Sequence, residues 1–410
     1  MVTYQGAGCL PYSVECAVRG LNPMTTRLVV ADEERGGGTI VLAVSPALKA
    51  LGVPGRCRLY EIQGKYDFII AKPRMKLYME FSDRIVNIFL KYVSVEDLYV
   101  YSVDESLLDL TTYRKFYNKS MIEIAQMIIR DIYQELHVIA TAGIGQNMVM
   151  AKLALDLEGK KRRDLIAEWN YDLIPRKLWP QSNLNDIWGI GSKTAKKLYT
   201  MGIYNMGTLA NYDPEKLKQH FGIIGYDLFL HANGMDLSKI QDKYKLFGGK
   251  HLNAGETLFQ DYFNDEVLVL IREKIDQLCS RLGDDRIAGE VHLSVGYSKT
   301  ANKRGFGRQK KLPTKTSDPN LIYETAASIF NYFYEEDTPV RTISVGLGKL
   351  EVFHGEQLDL FRPVDNQYML NVAINGIKRK YGQTALFSAT SLMPKASFLA
   401  RSGLVGGHNA

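Results

Sequence analysis

The chain has 410 residues, of which 46% are hydrophobic and 23% charged, and its formal net charge is +6. That length exceeds what one hydrophobic core organises, so roughly two to four domains are expected. The sequence contains neither a membrane-length apolar run nor a basic start followed by an apolar stretch, which excludes a spanning helix and a secretory signal. The four cysteines lack C-x-x-C spacing, so no zinc site or disulfide framework is indicated and a reducing cytoplasm is the expected location.

The first part of the chain alternates helical and strand patterns. LYVYSVDESLLDL, rich in β-branched and aromatic residues, predicts a β-hairpin at residues 98–110. Apolar spacing and residue type predict the neighbouring elements. These are a helix start at 14–20, a strand at Thr39–Val44 followed by a helix with Lys49, helices at 77–92 and Ser120–Leu136, a strand in HVIATAGIG, and a helix at Asn147–Leu157. Together they predict an α+β unit.

The second part begins with helices only, from about Ile174 to Ile240, and continues through a polar segment at 241–250 that reads as a linker. Beyond it, strict alternation at 291–297 and 343–347 predicts two half-buried strands, with a helix at Leu321–Tyr334 between them. A second α+β domain is therefore expected. An amphipathic helix is predicted over 364–381, stopped by Gly382, and the Gly- and Ser-rich tail to Ala410 is expected to be mobile.

Two adjacent carboxylates, Asp104 and Glu105, stand inside the predicted hairpin. Burying them is costly unless a cation neutralises them. Successive residues of a flat strand face opposite sides, so both could reach one metal pair only at a bend. An ordinary surface turn remains the alternative on these grounds.

Three motifs in order carry a resemblance to a known family. SVDESLLDL (102–110), GIGQNMVMAKLALDLEGKK (143–161) and SPALKALG (45–52) resemble the signatures of the Y-family, UmuC-like translesion DNA polymerases of Gram-positive bacteria. The resemblance implies an α+β multidomain, right-hand polymerase with an α+β palm, small fingers, an all-helical thumb carrying a helix–hairpin–helix, and an α+β little finger.

The resemblance also implies a division of the chain. Its expected parts are a remnant of the first palm strand (1–12), fingers (13–75), palm (76–167), thumb (168–240), linker (241–250), little finger (251–350), clamp-binding segment (351–362), and C-terminal helix with mobile tail (363–410).

The implied activity is template-directed DNA synthesis across lesions, in DNA repair or the SOS response. Primer–template DNA and deoxynucleoside triphosphates are the expected partners, with no membrane involved. Two Mg²⁺ ions would be held by Asp104 and Glu105, and would stabilise the attacking and leaving oxygens of nucleotidyl transfer. Lys49 and Lys152 would contact the triphosphate, where an ammonium stabilises charge on the leaving group.

The N-terminal segment departs from the family pattern. The family's third carboxylate falls on Gly6 here, its two aromatic positions fall on Leu10 and Pro11, and Pro46 replaces a tyrosine of the fingers. Because Gly6, Gly8 and Pro11 interrupt MVTYQGAGCLPY, it is not expected to form a buried strand.

Two explanations of this departure stay open: a truncated or frame-shifted start, or a weak or inactive polymerase. The alternative function is then a clamp-tethered, non-enzymatic DNA-binding protein derived from such a polymerase. A nuclease using Asp104 and Glu105 is a third possibility, unsupported by further acid or histidine clusters in the sequence.

Two segments are expected to hold DNA. NDIWGIGSKTAKKLYTMGIYNMGTLA (185–210) fits a helix–hairpin–helix, in which Gly189 and Gly191 let backbone N–H groups approach a phosphate while Lys193 and Lys196 add charge. The run at 299–315 has seven basic residues and no acid, and either a solvated loop or a phosphate-tracking surface explains it. We expect DNA contacts from Lys299, Lys303, Arg304, Arg308, Lys310 and Lys311.

A short apolar peptide follows the predicted second domain. Gln357, Leu358, Leu360 and Phe361 lie in QLDLF, which matches the bacterial sliding-clamp motif Q-L-x-L-F. Such a tether would hold a low-processivity enzyme near the primer end. An ordinary apolar edge of the domain is the alternative.

Overall fold

The computed structural model describes residues 1–6, 10–242, 251–353, 367–405 and 408–409. The chain divides into two compact units, Met1–Lys245 with His408–Ala410, and Leu246–Gly407. Within the described ranges, the helices are all too short or too polar to cross a lipid bilayer.

The first unit alternates helices and strands before becoming helical. Its strands are β1 Val2–Gly6, β2 Leu28–Val30, β3 Ala43–Val44, β4 Ile69–Ala71, β5 Leu98–Ser102, β6 Glu105–Leu108, β7 Ala140–Ile144 and β8 Ile166–Glu168. Its helices are α1 Leu10–Val18, α2 Pro46–Lys49, α3 Leu59–Ile62, α4 Met75–Phe89, α5 Tyr113–Tyr117, α6 Met121–Leu136, α7 Met148–Leu157, α8 Ser192–Thr200, α9 Met206–Ala210, α10 Pro214–Phe221 and α11 Ile223–Ala232.

A five-stranded sheet with the order β5-β6-β1-β7-β8 organises this unit. β1 lies at its centre, antiparallel to both β6 and β7, and Val2 and Thr3 are fully buried. The expectation that residues 1–12 form no buried strand was therefore wrong. Two of the residues taken as breakers lie at element ends: Gly6 closes the strand, and Pro11 stands in the first turn of α1, where a missing N–H costs nothing. Gly8 lies outside the described residues.

Helices α1, α4 and α6 share one hydrophobic core with this sheet. The helix predicted at 77–92 is α4, and the one predicted at Ser120–Leu136 is α6, whose N-cap Ser120 accepts from the N–H of Glu123. α1 begins before residue 13, so it crosses the expected boundary between strand remnant and fingers.

A small sheet with the order β3-β2-β4 has its own core, which includes Val29, Val41 and Leu48. The strand predicted at Thr39–Val44 is regular only at Ala43–Val44. Strands β2 and β4, three residues each, were not predicted. After β8 the unit is helical, as expected, with a π-helix at Ile174–Leu178 before α8.

The second unit contains a five-stranded sheet, and helices pack against it. Its strands are β9 His251–Tyr262, β10 Arg286–Tyr297, β11 Phe306–Thr316, β12 Val340–Gly348, β13 Glu351–Val352 and β14 Leu404–Val405, and a short β15 at His408–Asn409 closes the described chain. Its helices are α12 Asp265–Leu282, α13 Pro319–Phe333, α14 Gln367–Tyr381 and α15 Phe398–Ser402.

The main sheet has the order β11-β10-β12-β9, the short β13 pairs with one end of β10, and α12 and α13 share a core with the sheet. Both predicted strands are confirmed, within β10 and β12, and the predicted helix between them is α13. Much of the basic run is not a loop. Residues Phe306–Thr316 form the edge strand β11, paired with β10 from Phe306 to Lys311.

The described part of the C-terminal tail, which was expected to be mobile, is hydrogen-bonded to α12 of the second unit. Glu273 of α12 is 5% exposed and accepts hydrogen bonds from the N–H groups of Ser397 and Phe398 at 3.1 and 2.9 Å, which caps α15. Arg401 forms an ion pair with Glu256, to which the buried Lys274 also pairs. The glutamates that contact residues 397–401 lie over 120 residues earlier in the sequence, so the composition of the tail did not reveal these contacts.

Candidate active site

The adjacent carboxylates lie at a hairpin turn, the one geometry in which both could serve one site. β5 ends at Ser102 and β6 begins at Glu105, so Asp104 stands in the turn itself. The Ser102 hydroxyl donates to Oδ1 of Asp104 at 2.8 Å. Asp104 is half-buried, Glu105 is buried, and both line one small cleft beside Ser82 and Phe89 of α4.

Lys152 reaches this hairpin because α7 lies unusually close to the sheet. A Cβ on Gly143 would stand 2.1 Å from the carbonyl oxygen of Ala151, and one on Gly145 would stand 2.4 Å from its nitrogen. Any side chain at these positions would push the helix away. The glycines of the GIG segment therefore set the depth at which Lys152 lies.

The start of α7 is fixed from both sides. Asn147 caps it by accepting from the N–H of Met150 at 2.8 Å, and its amide donates to the carbonyl of Gly234 at 2.7 Å. Asp236 accepts from the N–H of Val149 at 3.2 Å. The helical region of the first unit thus holds the end of α7 that precedes Lys152.

The Lys152 ammonium lies between two carboxylates. Its Nζ is 2.6 Å from Oε1 of Glu105 and 3.1 Å from Oδ2 of Asp156. Sequence reasoning did not select Asp156, although its i,i+4 spacing from Lys152 was a usable signal. The structure thus brings Asp104, Glu105 and Lys152 together as predicted, with Asp156 added.

Burial and charge oppose each other in this cluster. Burial raises the pKa of Glu105, and the neighbouring Lys152 only partly offsets that. Burial lowers the pKa of Lys152, but the carboxylates of Asp156 and Glu105 outweigh it and leave the pKa raised. Lys152 is therefore a cation at neutral pH, as phosphate binding requires.

The residues present fit one divalent cation better than two. In the register of β1, Gln5 lies opposite Glu105, and Gly6 comes next at the strand end, opposite Ala140 of β7. Gly6 supplies no carboxylate there. In the described part of the chain, no third acid or histidine joins Asp104 and Glu105 in a metal-ligating group. One or two carboxylates with substrate phosphates are a common Mg²⁺ ligand set, whereas two ions would have to share these two carboxylates.

Lys49 is the exposed last residue of α2, the helix whose Leu48 packs in the core of the small sheet. Ser45 anchors the start of α2, since its hydroxyl accepts from the N–H of Leu28 at 3.1 Å.

Sequence reasoning did not predict a buried carboxylate network that joins α1 to α4. Glu15 of α1 is fully buried and accepts from Arg74 Nε at 2.9 Å and from the Tyr78 hydroxyl at 2.8 Å, with Arg19 as a further partner. Burial raises the pKa of Glu15, but the hydrogen bonds from Arg74, Arg19 and Tyr78 outweigh it and leave the pKa lowered. This network joins α1 to α4.

The helix–hairpin–helix geometry agrees with the expectation. Gly189 has φ +87°, which only glycine adopts readily, and Gly191 caps α8. Lys193 and Lys196 are exposed on α8, while Ala195 and Leu198 are buried.

The same turn also contacts the hairpin that carries the two carboxylates. Trp188 Nε1 donates to the Tyr101 hydroxyl at 3.2 Å, next to Ser102 on β5. The predicted DNA-holding element and the carboxylate hairpin are therefore adjacent within one unit.

The basic run presents exposed cations along β11 and the turn before it. Lys299, Lys303, Arg304, Arg308, Lys310 and Lys311 are all exposed. Some are positioned by neighbours, since Arg308 lies 4.6 Å from the Phe333 ring and Lys310 donates to Ser328 Oγ at 2.9 Å. The residues expected to bind the clamp, Gln357 to Phe361, lie outside the described residues.

Comparison with known proteins gives a consistent result. The impB/mucB/samB family model matches residues 11–156, its C-terminal domain model matches 250–360, and the IMS family HHH motif matches 171–203. The chain is 36% identical over 97% of its length, and 95% of the relative's, to a Bacillus subtilis (strain 168) protein named for UV-damage repair, UvrX.

Two further similarities extend this result. DNA polymerase IV 2 of the same organism is 33% identical over 93% of this chain and 92% of the relative. Among solved structures, a Y-family DNA polymerase chimera of Dbh and Dpo4 matches with TM-score 0.65 and 20% identity, covering 86% of this chain and 99% of that one.

Proposed function

Because this chain belongs to the impB/mucB/samB family of Y-family translesion DNA polymerases, we propose that it is a template-directed DNA polymerase of the damage-bypass type. Its own substrates would be primer–template DNA and deoxynucleoside triphosphates. The relatives' names, DNA polymerase IV and a UV-damage repair protein, support this proposal.

The observation that carries the proposal is the meeting of Asp104, Glu105 and Lys152 at one hairpin. Two carboxylates beside an ammonium suit a nucleotide's metal-bound triphosphate, since the carboxylates take the cation and the ammonium takes a phosphate oxygen. Lys49, exposed on the fingers, is the second candidate for phosphate contact.

A divalent cation, which we propose is Mg²⁺, would be held by Asp104 and Glu105. Bound there, it would stabilise negative charge on the phosphates of the incoming nucleotide. Lys152 would have to release Glu105 in part, because the carboxylate cannot hold both cations in its present arrangement. Gly6 leaves the pair without a third carboxylate, so we expect nucleotidyl transfer to be slow.

Ternary-complex formation tests the site without requiring chemistry. A primer ending in a dideoxynucleotide is bound to the chain, and the dissociation rate of the labelled duplex is measured with each of the four deoxynucleoside triphosphates and Mg²⁺. We expect the nucleotide complementary to the templating base to slow dissociation most.

Variants of the cluster sharpen this test. Asp104→Asn and Lys152→Gln should both lose the effect of the complementary nucleotide, whereas Lys161→Gln, an exposed lysine just after α7, should keep it. Equal effects of all four nucleotides on the parent chain would overturn the proposal.

Gly6 supports a second candidate function, a clamp-tethered DNA-binding protein of this family without polymerase activity. Such a protein would bind primer–template DNA and form the nucleotide complex, yet add no nucleotide. The two functions depend on the same contacts and differ only in whether a nucleotide is added, so incorporation kinetics separate them.

We further propose that the segment around Gln357, Leu358, Leu360 and Phe361 binds a bacterial sliding clamp. The motif stands between two anchored elements, β13, which pairs with β10, and α14, whose Tyr368 hydroxyl donates to the carbonyl of Asp284 at 2.8 Å. Three apolar side chains in a pocket suggest about micromolar affinity after ordering costs.

Capture of the chain by an immobilised, purified clamp tests this tether. Leu360→Ala with Phe361→Ala should abolish capture, while Leu370→Ala, an exposed leucine of α14, should not. Undiminished capture of the double variant would refute clamp binding through this motif and leave the polymerase proposal untouched.

A further inference from the structure

Three side chains of metal-ligating type gather on one face of the sheet in the second unit. His251 begins β9, and Glu290 and His292 stand two residues apart on β10. Val291 and Leu293 belong to the core shared with α12 and α13, so residues 290 and 292 project from the opposite face. The group lies in the second unit, whereas Asp104 and Glu105 belong to the first.

β12 lies between the two strands, and two of its glycines leave space for these side chains. Gly348 is paired with both Glu290 and His251, and Gly346 is paired with His292. A Cβ on Gly348 would stand 2.6 Å from Oε1 of Glu290 and 2.8 Å from Nδ1 of His251. The side chains of Glu290 and His251 therefore meet in a space that the side chain of any residue other than glycine at position 348 would occupy.

The donor atoms are close enough for one ion. Nε2 of His292 lies 3.3 Å from Oε1 of Glu290. The rings of His251 and His292 are nearly perpendicular, at 83°, with centroids 5.8 Å apart. All three donor atoms lie within 4.8 Å of one another. Donors around tetrahedral zinc are separated by about 3.3 Å, so small side-chain rotations would complete the set.

Charge at this position also favours a cation. Glu290 is 6% exposed, and a buried carboxylate requires a positive partner. Lys349 supplies one, with Nζ 3.0 Å from Oε2. The remaining oxygen, Oε1, faces the two histidines.

We propose that His251, Glu290 and His292 form a binding site for a divalent transition metal of the zinc class, with a fourth position open to water. Two imidazole nitrogens with one carboxylate oxygen suit Zn²⁺, Co²⁺ or Ni²⁺, whereas Mg²⁺ prefers oxygen ligands alone. A bound ion would cross-link β9 and β10 over the glycines of β12. This site is independent of the proposed polymerase function.

Zinc and cobalt binding to the untagged full chain tests the proposal. After metal removal, we expect one Zn²⁺ per chain by titration calorimetry and a visible absorption band with Co²⁺ that zinc abolishes. His251→Asn, Glu290→Gln and His292→Asn should each weaken binding at least about tenfold, since loss of even an outer partner costs that much. His220→Asn, an exposed histidine of α10, should bind zinc like the parent.

Substitution of Lys349 distinguishes this site from zinc binding to scattered surface histidines. Since its ammonium competes for Glu290, Lys349→Met should tighten zinc binding. Zinc should also raise the melting temperature of the parent but not of the His292→Asn variant. Melting in chelator checks that each variant is folded. Zinc binding that survives His251→Asn and His292→Asn, or that no variant changes, would overturn the site.

Discussion

The ammonium of Lys152 lies 2.6 Å from Oε1 of Glu105, and the pair is buried at the hairpin that also carries Asp104. Each partner is expected to bind a different part of the same ligand, the lysine a phosphate and the glutamate a metal ion. In the structure they neutralise each other. A metal ion and a nucleotide that bind to these residues would both compete with this ion pair, which would link the binding of one to that of the other.

The energetic coupling of this pair is measurable. Lys152→Met leaves Glu105 buried without its main cation and should cost about 3–5 kcal/mol of unfolding free energy. Glu105→Leu should cost less, because Lys152 keeps Asp156 as a partner. The variant with both substitutions should be destabilised by much less than the sum of the two single variants. Urea unfolding of the four proteins without nucleotide measures these free energies. Single effects that simply add, within about 0.5 kcal/mol, would contradict the coupling.

The close approach of α7 to β7 gives a second prediction. Gly143→Ala places a methyl group against the backbone of Ala151 and Leu155, so α7 must move. We expect a loss of about 1–3 kcal/mol of stability. Weaker binding of the complementary nucleotide should accompany it, because Lys152 moves with the helix. Gly55→Ala is the matched control, since nothing lies within 4 Å of its added Cβ; equal effects of both substitutions would contradict the role of Gly143.

Glu15 predicts a pH dependence of stability. Because its pKa in the folded chain is lowered from 4.5, its ionised form stabilises the fold above that pH, and this contribution disappears as pH falls through the lowered value. Glu15→Gln should therefore lower the free energy of unfolding by about 1–3 kcal/mol at pH 7, a range that allows for solvent screening of the half-exposed arginines. This loss of stability should become smaller below pH 4.5.

Urea unfolding of the parent and Glu15→Gln between pH 7 and pH 3 checks this pH dependence. Glu80→Gln, an exposed glutamate of α4, is the control and should show almost no deficit at any pH. A Glu15→Gln deficit that grew toward low pH would reverse the assigned sign.

The edge strand β11 predicts the salt dependence of DNA binding. Arg308→Gln with Lys311→Gln, two exposed residues of β11, should weaken binding of primer–template duplexes of any sequence and reduce the slope of log affinity against log salt by about 2. Lys115→Gln with Lys119→Gln, two exposed lysines of the first unit, removes the same charge elsewhere. Equal slope changes in both double variants would show that net charge, not β11, accounts for the binding.

The residues at the centre of the candidate site could be predicted from the sequence. Residue type predicted the hairpin, helical apolar spacing predicted α6 and α7, and the family motifs indicated Asp104, Glu105 and Lys152. These signals are local, because each depends on residues within one or two turns of chain. The partner of Lys152 at i+4, Asp156, was within reach of the same reasoning.

What the sequence did not reveal depends on contacts between distant segments. β1 is central despite its terminal glycine, because β6 and β7 pair with it on both sides. The tail is held by Glu273 and Glu256, whose partnership with residues 397–401 has no local signature. His251 and Glu290 looked isolated in the sequence, yet strand pairing through Gly348 brings them together.

Single-turnover incorporation of one complementary deoxynucleoside triphosphate, with the chain in excess over primer–template DNA and Mg²⁺ present, tests the central claim most directly. We expect template-directed addition, slower than by the Bacillus subtilis relative DNA polymerase IV 2 assayed alongside, and lost in Asp104→Asn. Product that forms regardless of the templating base, or equally in Asp104→Asn, would contradict a polymerase site at this hairpin. Complete absence of product despite a stable ternary complex would reject polymerase activity in favour of the DNA-binding function.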